Sequence, residues 1–164
     1  MEATTTKPSV NGNGVHAKQP ITVEQIKRLA AAWYLALDQH DPIETCCDML
    51  ADVGLNMQFP DGDIRDMASF KKWYDRVTNL FFDENHIVQT VSAQINGDEA
   101  VVDVVVGWQA SWWEAPAAKS KRVSMDATQR WTVRRSNKNK HGLEIVSYIA
   151  QQEPFKYAPG FARL

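Results

Sequence analysis

The feature that most constrains this chain is the run Val101, Val102, Asp103, Val104, Val105, Val106, Gly107, Trp108, Gln109, Ala110, Ser111, Trp112, Trp113. β-Branched and aromatic side chains at this density fit a pleated, half-buried surface and predict one long strand. The preceding Asn96-Gly97-Asp98 supplies the turn residues of a hairpin. Side chains alternate along a strand, so Asp103, Gln109 and Ser111 fall on one face. That spacing predicts a sheet with a polar, concave face, and with it a ligand pocket in a small α+β domain.

A chain of 164 residues, 44% hydrophobic, supports one core and one domain. Its formal charge of −2 gives no general attraction to nucleic acid or to an anionic membrane, and neither partner is expected. Cys46 and Cys47 are adjacent, which suits neither an ordinary disulfide nor a zinc site, so a reducing compartment is the simpler expectation. Four scattered His residues and the lack of a Gly-rich phosphate cradle predict no metal and no cofactor. No apolar stretch is long enough to span a bilayer, and the first 20 residues lack the pattern of a secretory signal, which favours a cytoplasmic protein.

Residues 1–20, rich in Thr, Asn, Gly, Lys and Pro, predict a disordered tail. Thr22 with Gln25 matches a capping box, and Ile26, Leu29, Ala30, Trp33 and Leu37 then recur at helical spacing. Residues 38–41 end that helix, and Pro42 is placed in the first turn of a short second one. Residues 55–59 read as a short strand closed by the turn Pro60-Asp61-Gly62-Asp63. Asp66 caps a third helix carrying Phe70, Trp73, Tyr74, Val77, Leu80 and Phe81. Four strands follow, over residues 86–95, 100–113, 124–133 and 143–151. The basic stretch 134–140 reads as a solvated loop.

The order of these elements, with the segments YLALDQHD, LNMQFPDG, SFKKWYDRV, INGDEAVVDVVVGWQAS and DATQRWTVRR, resembles the nuclear transport factor 2-like superfamily, in particular its polyketide-cyclase-like (SnoaL-like) branch. The resemblance covers residues 21–155 as a single domain and leaves residues 156–164 as a C-terminal extension. It implies a cone-shaped, cystatin-like α+β fold, a curved mixed β-sheet wrapped around N-terminal helices, whose interior holds a small hydrophobic or aromatic molecule and whose sheet supports a homodimer. Members isomerise, dehydrate or cyclise organic substrates, and others have no catalytic role. One departure is plain: where the steroid-isomerase pattern has a catalytic Asp before Pro, this chain has Phe59 before Pro60.

His86, at the start of a strand, is the first acid/base candidate, because imidazole transfers protons near neutral pH; the alternative is a hydrogen bond at the strand edge. Asp103 is the second, either orienting His86 or acting as base itself, unless strand alternation turns it outward. Asp126 and Gln129 lie on opposite faces of one strand, so only one of them can reach the cavity. Asp61 and Asp63 are read as turn-capping residues near its mouth. Trp33, Trp73, Trp108 and Trp131 supply apolar area for a planar ligand or for the core, and Tyr34 and Tyr74 add phenol donors. The expected protein is a small-ligand pocket protein, an isomerase, dehydratase or cyclase working by proton transfer without a cofactor. The alternatives are a non-catalytic ligand-binding or protein-association domain, or an accessory subunit of a larger enzyme.

Overall fold

The computed structural model of the chain describes residues 18–150 and 154–164. The tail expected over residues 1–20 therefore lies outside the described residues as far as residue 17, and residues 18–20 are exposed and irregular. Helix α1 (Val23–Asp38) begins where Thr22 Oγ1 accepts the Gln25 N–H at 3.1 Å. The Gln25 amide leaves the expected box and donates to the His141 carbonyl at 2.8 Å, tying the helix start to a distant loop. At the other end, the His40 N–H reaches the Leu37 carbonyl and the Asp41 N–H reaches that of Ala36. This is a Schellman closure, in which His40, at φ 49°, holds the left-handed position that usually falls to glycine. Helix α2 (Ile43–Cys47) is one short turn with Pro42 just ahead of it, and α3 (Met67–Leu80) is capped by Asp66, which accepts the Ser69 N–H at 2.7 Å.

The strands are β1 (Asn56–Phe59), β2 (Gly62–Ile64), β3 (Phe82–Asn96), β4 (Glu99–Trp112), β5 (Lys121–Arg135), β6 (Leu143–Ile149) and β7 (Lys156–Tyr157). They form one curved, open sheet in the order β2-β1-β6-β5-β4-β3, with β7 pairing β5. The β1–β6 pair is parallel and the others are antiparallel, so the sheet is mixed. Three differences from the sequence reading stand out. The turn after β1 continues into β2, β3 starts four residues early at Phe82, and β6 ends at Ile149. The C-terminal extension adds β7 and a bridge from Ala162 to Val123.

One face of the sheet packs on the helices. Ala100, Val102, Val104 and Val106 of β4, with Ala127, Trp131 and Val133 of β5, join Ile26, Leu29, Trp33 and Phe70 in the main core. Asp103, Gln109 and Ser111 have the opposite parity, so the polar face expected to be concave is the one turned away from the helices. A bulge between Val88 and Thr90 of β3 decides on which side its polar residues emerge. One extra residue reverses the alternation, so Glu84 and His86 before it share the helix-facing side with Val91 and Ala93 after it. Across Gly107 on the outer face, Gln89 donates to Asp126 at 2.8 Å, and a Cβ at Gly107 would crowd both side chains, at 3.2 and 3.3 Å. The basic stretch is more tied down than expected: Arg134 pairs with Glu144, Arg135 with Asp98, and Lys138 with Asp52 and the carbonyls of Cys47 and Leu50.

Candidate active site

The last turn of α1 and the first half of β3 bring together two histidines and two carboxylates. His86 Nδ1 lies 2.5 Å from Asp38 Oδ1, and the His86 backbone N–H donates to Asp38 Oδ2 at 3.0 Å. Both oxygens of the carboxylate thus hold one residue, which fixes the ring and places its proton on Nδ1. The imidazole is sandwiched between Tyr34, with ring centres 5.0 Å apart, and Trp108, at 6.2 Å. Beside this pair runs a second one in the reverse sense. His40 Nε2 lies 2.9 Å from Glu84 Oε1, while Glu84 Oε2 accepts the Trp108 indole N–H at 2.9 Å. Glu84 therefore holds the indole that covers His86.

Next to these groups opens a cavity of about 560 Å³. Its apolar wall includes Leu37, Phe59, Trp73, Val77, Leu80, Phe81, Val106, Trp108, Met125, Tyr148, Phe155 and Tyr157, and its polar members include Asp61, Arg76, Glu84, His86 and Gln129. Phe59 stacks on Trp73 at 4.5 Å, forming a flat edge. Gln129 Oε1 accepts the Tyr34 hydroxyl at 2.7 Å and the Trp131 indole N–H at 3.1 Å. An indole can only donate, so the oxygen's placement is settled and the Gln129 NH₂ is turned toward the Tyr148 hydroxyl at the cavity wall. Burial pushes the Tyr34 phenol well above its ordinary value, and it pushes Tyr148 up to about 12. Both phenols are therefore donors at neutral pH, not bases.

The sequence candidates separate cleanly. His86, Phe59, Asp61, Trp73, Trp108 and Gln129 line the cavity. Tyr34 stacks on His86 from the core side, whereas Trp33 and Trp131 are fully buried core residues and Tyr74 donates to the Asp41 carbonyl at 2.6 Å. Asp103 is corrected to the outer face, where Arg130 grips it at 2.8 and 3.1 Å, so it neither orients His86 nor reaches the cavity. Asp126 is outward as well, held by Gln89. Asp61 and Asp63 do not cap their turn: they pair with Arg76 and Arg65.

Asp38, Glu84, His40 and Arg76 were not singled out by sequence reading. A signal for Asp38 did exist. It stands four residues after Tyr34 and one after Leu37, on the buried stripe of α1, where an unexplained carboxylate calls for a partner. Among the described residues no group of three or more His, Cys, Asp or Glu side chains could hold a metal ion, and no helix is long and apolar enough to cross a membrane.

No protein-family model and no curated protein sequence matches the chain. Solved structures do. The chain is similar to the hexachlorocyclohexane dehydrochlorinase LinA-type3 from Novosphingobium barchaimii, with 10% identity over 86% of this chain and 92% of that one and a TM-score of 0.67. It is similar to a nuclear transport factor 2-like superfamily protein from Salmonella enterica, with 13% identity, the same two coverages and a TM-score of 0.64. It is also similar to the CaMKII hub of S. rosetta, with 14% identity over 88% of this chain and 100% of that one and a TM-score of 0.59. At these identities the likeness shows the fold alone, which is the NTF2-like, cystatin-like α+β fold. A dehydrochlorinase and a CaMKII hub share it, so the chemistry has to be argued from the site.

Proposed function

We propose that this protein is a proton-transfer enzyme acting on a small hydrophobic molecule, with His86 as the base and Asp38 as the residue that orients it. The observation that carries this reading is the Asp38–His86 pair opening on an aromatic cavity. With the Nδ1 proton bonded to Asp38, the lone pair of His86 sits on Nε2, for which no partner is found among the described residues. A substrate C–H acidified by a neighbouring carbonyl or leaving group gives its proton to Nε2. The Asp38 carboxylate then balances the charge the ring acquires. In an isomerisation the proton returns at another carbon. In a dehydration the electron pair released from the C–H bond forms the C=C bond and expels the adjacent hydroxyl, which leaves as water on taking back the proton held on Nε2. The Gln129 NH₂ is the donor available to a developing oxyanion. Nothing in this cycle calls for a cofactor.

Ring opening of 5-nitrobenzisoxazole, which needs only a base beside an apolar site, tests the reading without knowledge of the natural substrate. The wild type is expected to open it faster than free imidazole at equal concentration, and His86→Ala to lose that advantage. Equal rates for the two proteins would remove His86 from the mechanism. We also propose a homodimer through the outer face of β3 and β4, where Ile87 and Val101 are exposed apolar residues. Light scattering after gel filtration distinguishes a dimer from a monomer, and Val101→Glu is expected to split a dimer built on that face.

A further inference from the structure

Arg76 is the one Lys or Arg among the described residues that line the cavity. It belongs to the stripe of α3 that faces that space, with Trp73, Val77 and Leu80 at helical spacing around it. A guanidinium in an otherwise apolar stripe needs a reason. Its partner is Asp61, on the turn between β1 and β2, and both side chains are more than half exposed, at 58% and 55%. A pair so exposed adds little to stability, because water screens it and two long side chains lose freedom to hold it. It is therefore readily exchanged. Asp61 uses one terminal nitrogen of Arg76, whereas a planar guanidinium carries five N–H groups in a fork that suits a carboxylate.

The surroundings favour an anion carried on a ring. Phe59 and Trp73 form a stacked edge next to Arg76, with an interplanar angle of 17°. The other side-chain carboxylate lining the cavity, Glu84, already holds His40 with one oxygen and Trp108 with the other, which leaves it less free to anchor a cationic ligand. We propose that the cavity takes a planar aromatic carboxylate whose anionic end replaces Asp61 on Arg76 while its ring lies against Phe59 and Trp73. This rests on the reading of the cavity as a substrate site, and it adds Arg76 as the residue that selects charge and sets which end of the substrate is turned toward His86.

Binding of 2-naphthoate and of 2-naphthamide, followed by calorimetry and tryptophan quenching at pH 7, tests the inference, because the two differ in charge and hardly in shape. The wild type is expected to prefer the carboxylate by about tenfold, the effect of a charge-assisted hydrogen bond. Arg76→Gln is expected to erase the preference while still binding the amide, which also shows that the variant is folded. Asp61→Asn, which removes the competing carboxylate, is expected to tighten naphthoate binding. His86→Ala is expected to keep the preference, since it alters the base and not the anchor. Equal affinity for the two compounds in the wild type, a preference that survives Arg76→Gln, or binding of neither compound would overturn the proposal. Loss of the preference in Arg76→Gln together with unchanged benzisoxazole opening in His86→Ala would keep the anchor and sink the base, and the opposite pair of results would do the reverse.

Discussion

Two carboxylates of this molecule grip nitrogen donors at nearly the same distance, and only one of the pairs can do chemistry. Asp38 meets His86 at 2.5 Å, with side chains 17% and 11% exposed. Asp103 meets Arg130 at 2.8 Å, with side chains 46% and 53% exposed. On the outer face the partner is a guanidinium, which stays protonated throughout the range of protein chemistry and can only hold. On the cavity side the partner is an imidazole, whose second nitrogen is free to take a proton and whose first is kept from doing so by the carboxylate. Solvent deepens the contrast. Water screens the outer pair, while the inner one is largely buried beside aromatic side chains, where its electrostatics stay stronger.

The widest separation between the pairs is expected from their nitrogen-bearing members. His86→Ala is expected to lower proton abstraction by about 10²–10⁴-fold, the usual contribution of a general base, and Arg130→Ala to leave it unchanged. Initial rates with the benzisoxazole probe check both. The carboxylates come next: Asp38→Asn keeps the shape but lets the ring adopt the wrong tautomer, so a loss on the order of 10²-fold is expected, against none for Asp103→Asn. A comparable loss in both Asn variants would mean that the outer pair supports the site through the sheet, and the contrast would collapse.

Why the sequence pointed to the wrong carboxylate is explained by the same contrast. Asp103 was conspicuous because it interrupts a valine run, yet strand parity allowed either face, and its cross-strand neighbour Arg130 makes the outward choice stable. Asp38 was inconspicuous because a polar residue at the end of a helix looks like the end of the helix. The long strands and the capped helices could be read from local patterns, since each depends on periodicity over a few residues. The side on which His86 emerges could not, because it hinges on the bulge between Val88 and Thr90, which is set by how β3 pairs with β4. Nor could Asp38 be matched to His86 across 48 residues. Arg76 and Glu84 acquire meaning only once the cavity is closed around them.

The His40–Glu84–Trp108 chain gives an intermediate test. Glu84→Gln keeps an acceptor for the indole but removes the charge facing His40, and about 1 kcal/mol of positioning, roughly a fivefold drop in rate, is expected. No substitution near Arg130 should imitate it. His40 bears on the same point. A left-handed residue that is not glycine carries a backbone penalty of about 1 kcal/mol, which its contact with Glu84 helps to offset. A rate for Glu84→Gln equal to wild type would detach Trp108 from the dyad.

Alkaline pH should reveal the dry interior near the first pair and leave the second indifferent. Burial pushes the Cys46 thiol up to about 12 and the Tyr148 phenol up to about 12. In the unfolded chain the thiol ionises near pH 9 and the phenol near 10, so between those values and about 12 the native state retains protons that the unfolded state has lost. Stability is thus fully present below about pH 9 and falls as pH rises. Cys46→Ala should make the fall above about pH 9 shallower, leaving the contribution of Cys47, whose thiol burial also raises, as seen in urea titrations across pH 8–11. Parallel curves for wild type and variant would show that the thiol is not the source.

The smallest effect belongs to the outer pair itself. Arg130→Ala, Asp103→Ala and the double variant define a cycle whose coupling energy in thermal or urea unfolding is expected to be small, as for other exposed ion pairs. It should shrink further in molar salt, because the charges lie in water. A bidentate grip across adjacent strands argues for a small coupling that is still measurable, since the guanidinium is held flat by two bonds and loses little freedom for the second. A large coupling would mean that this face is covered, and the covering surface is the second copy proposed for β3 and β4. The cycle therefore reads two things at once: a weak, salt-sensitive coupling at low protein concentration that strengthens as concentration rises would tie Asp103 and Arg130 to assembly, while one that is weak at every concentration would leave them as ornaments of a solvated sheet.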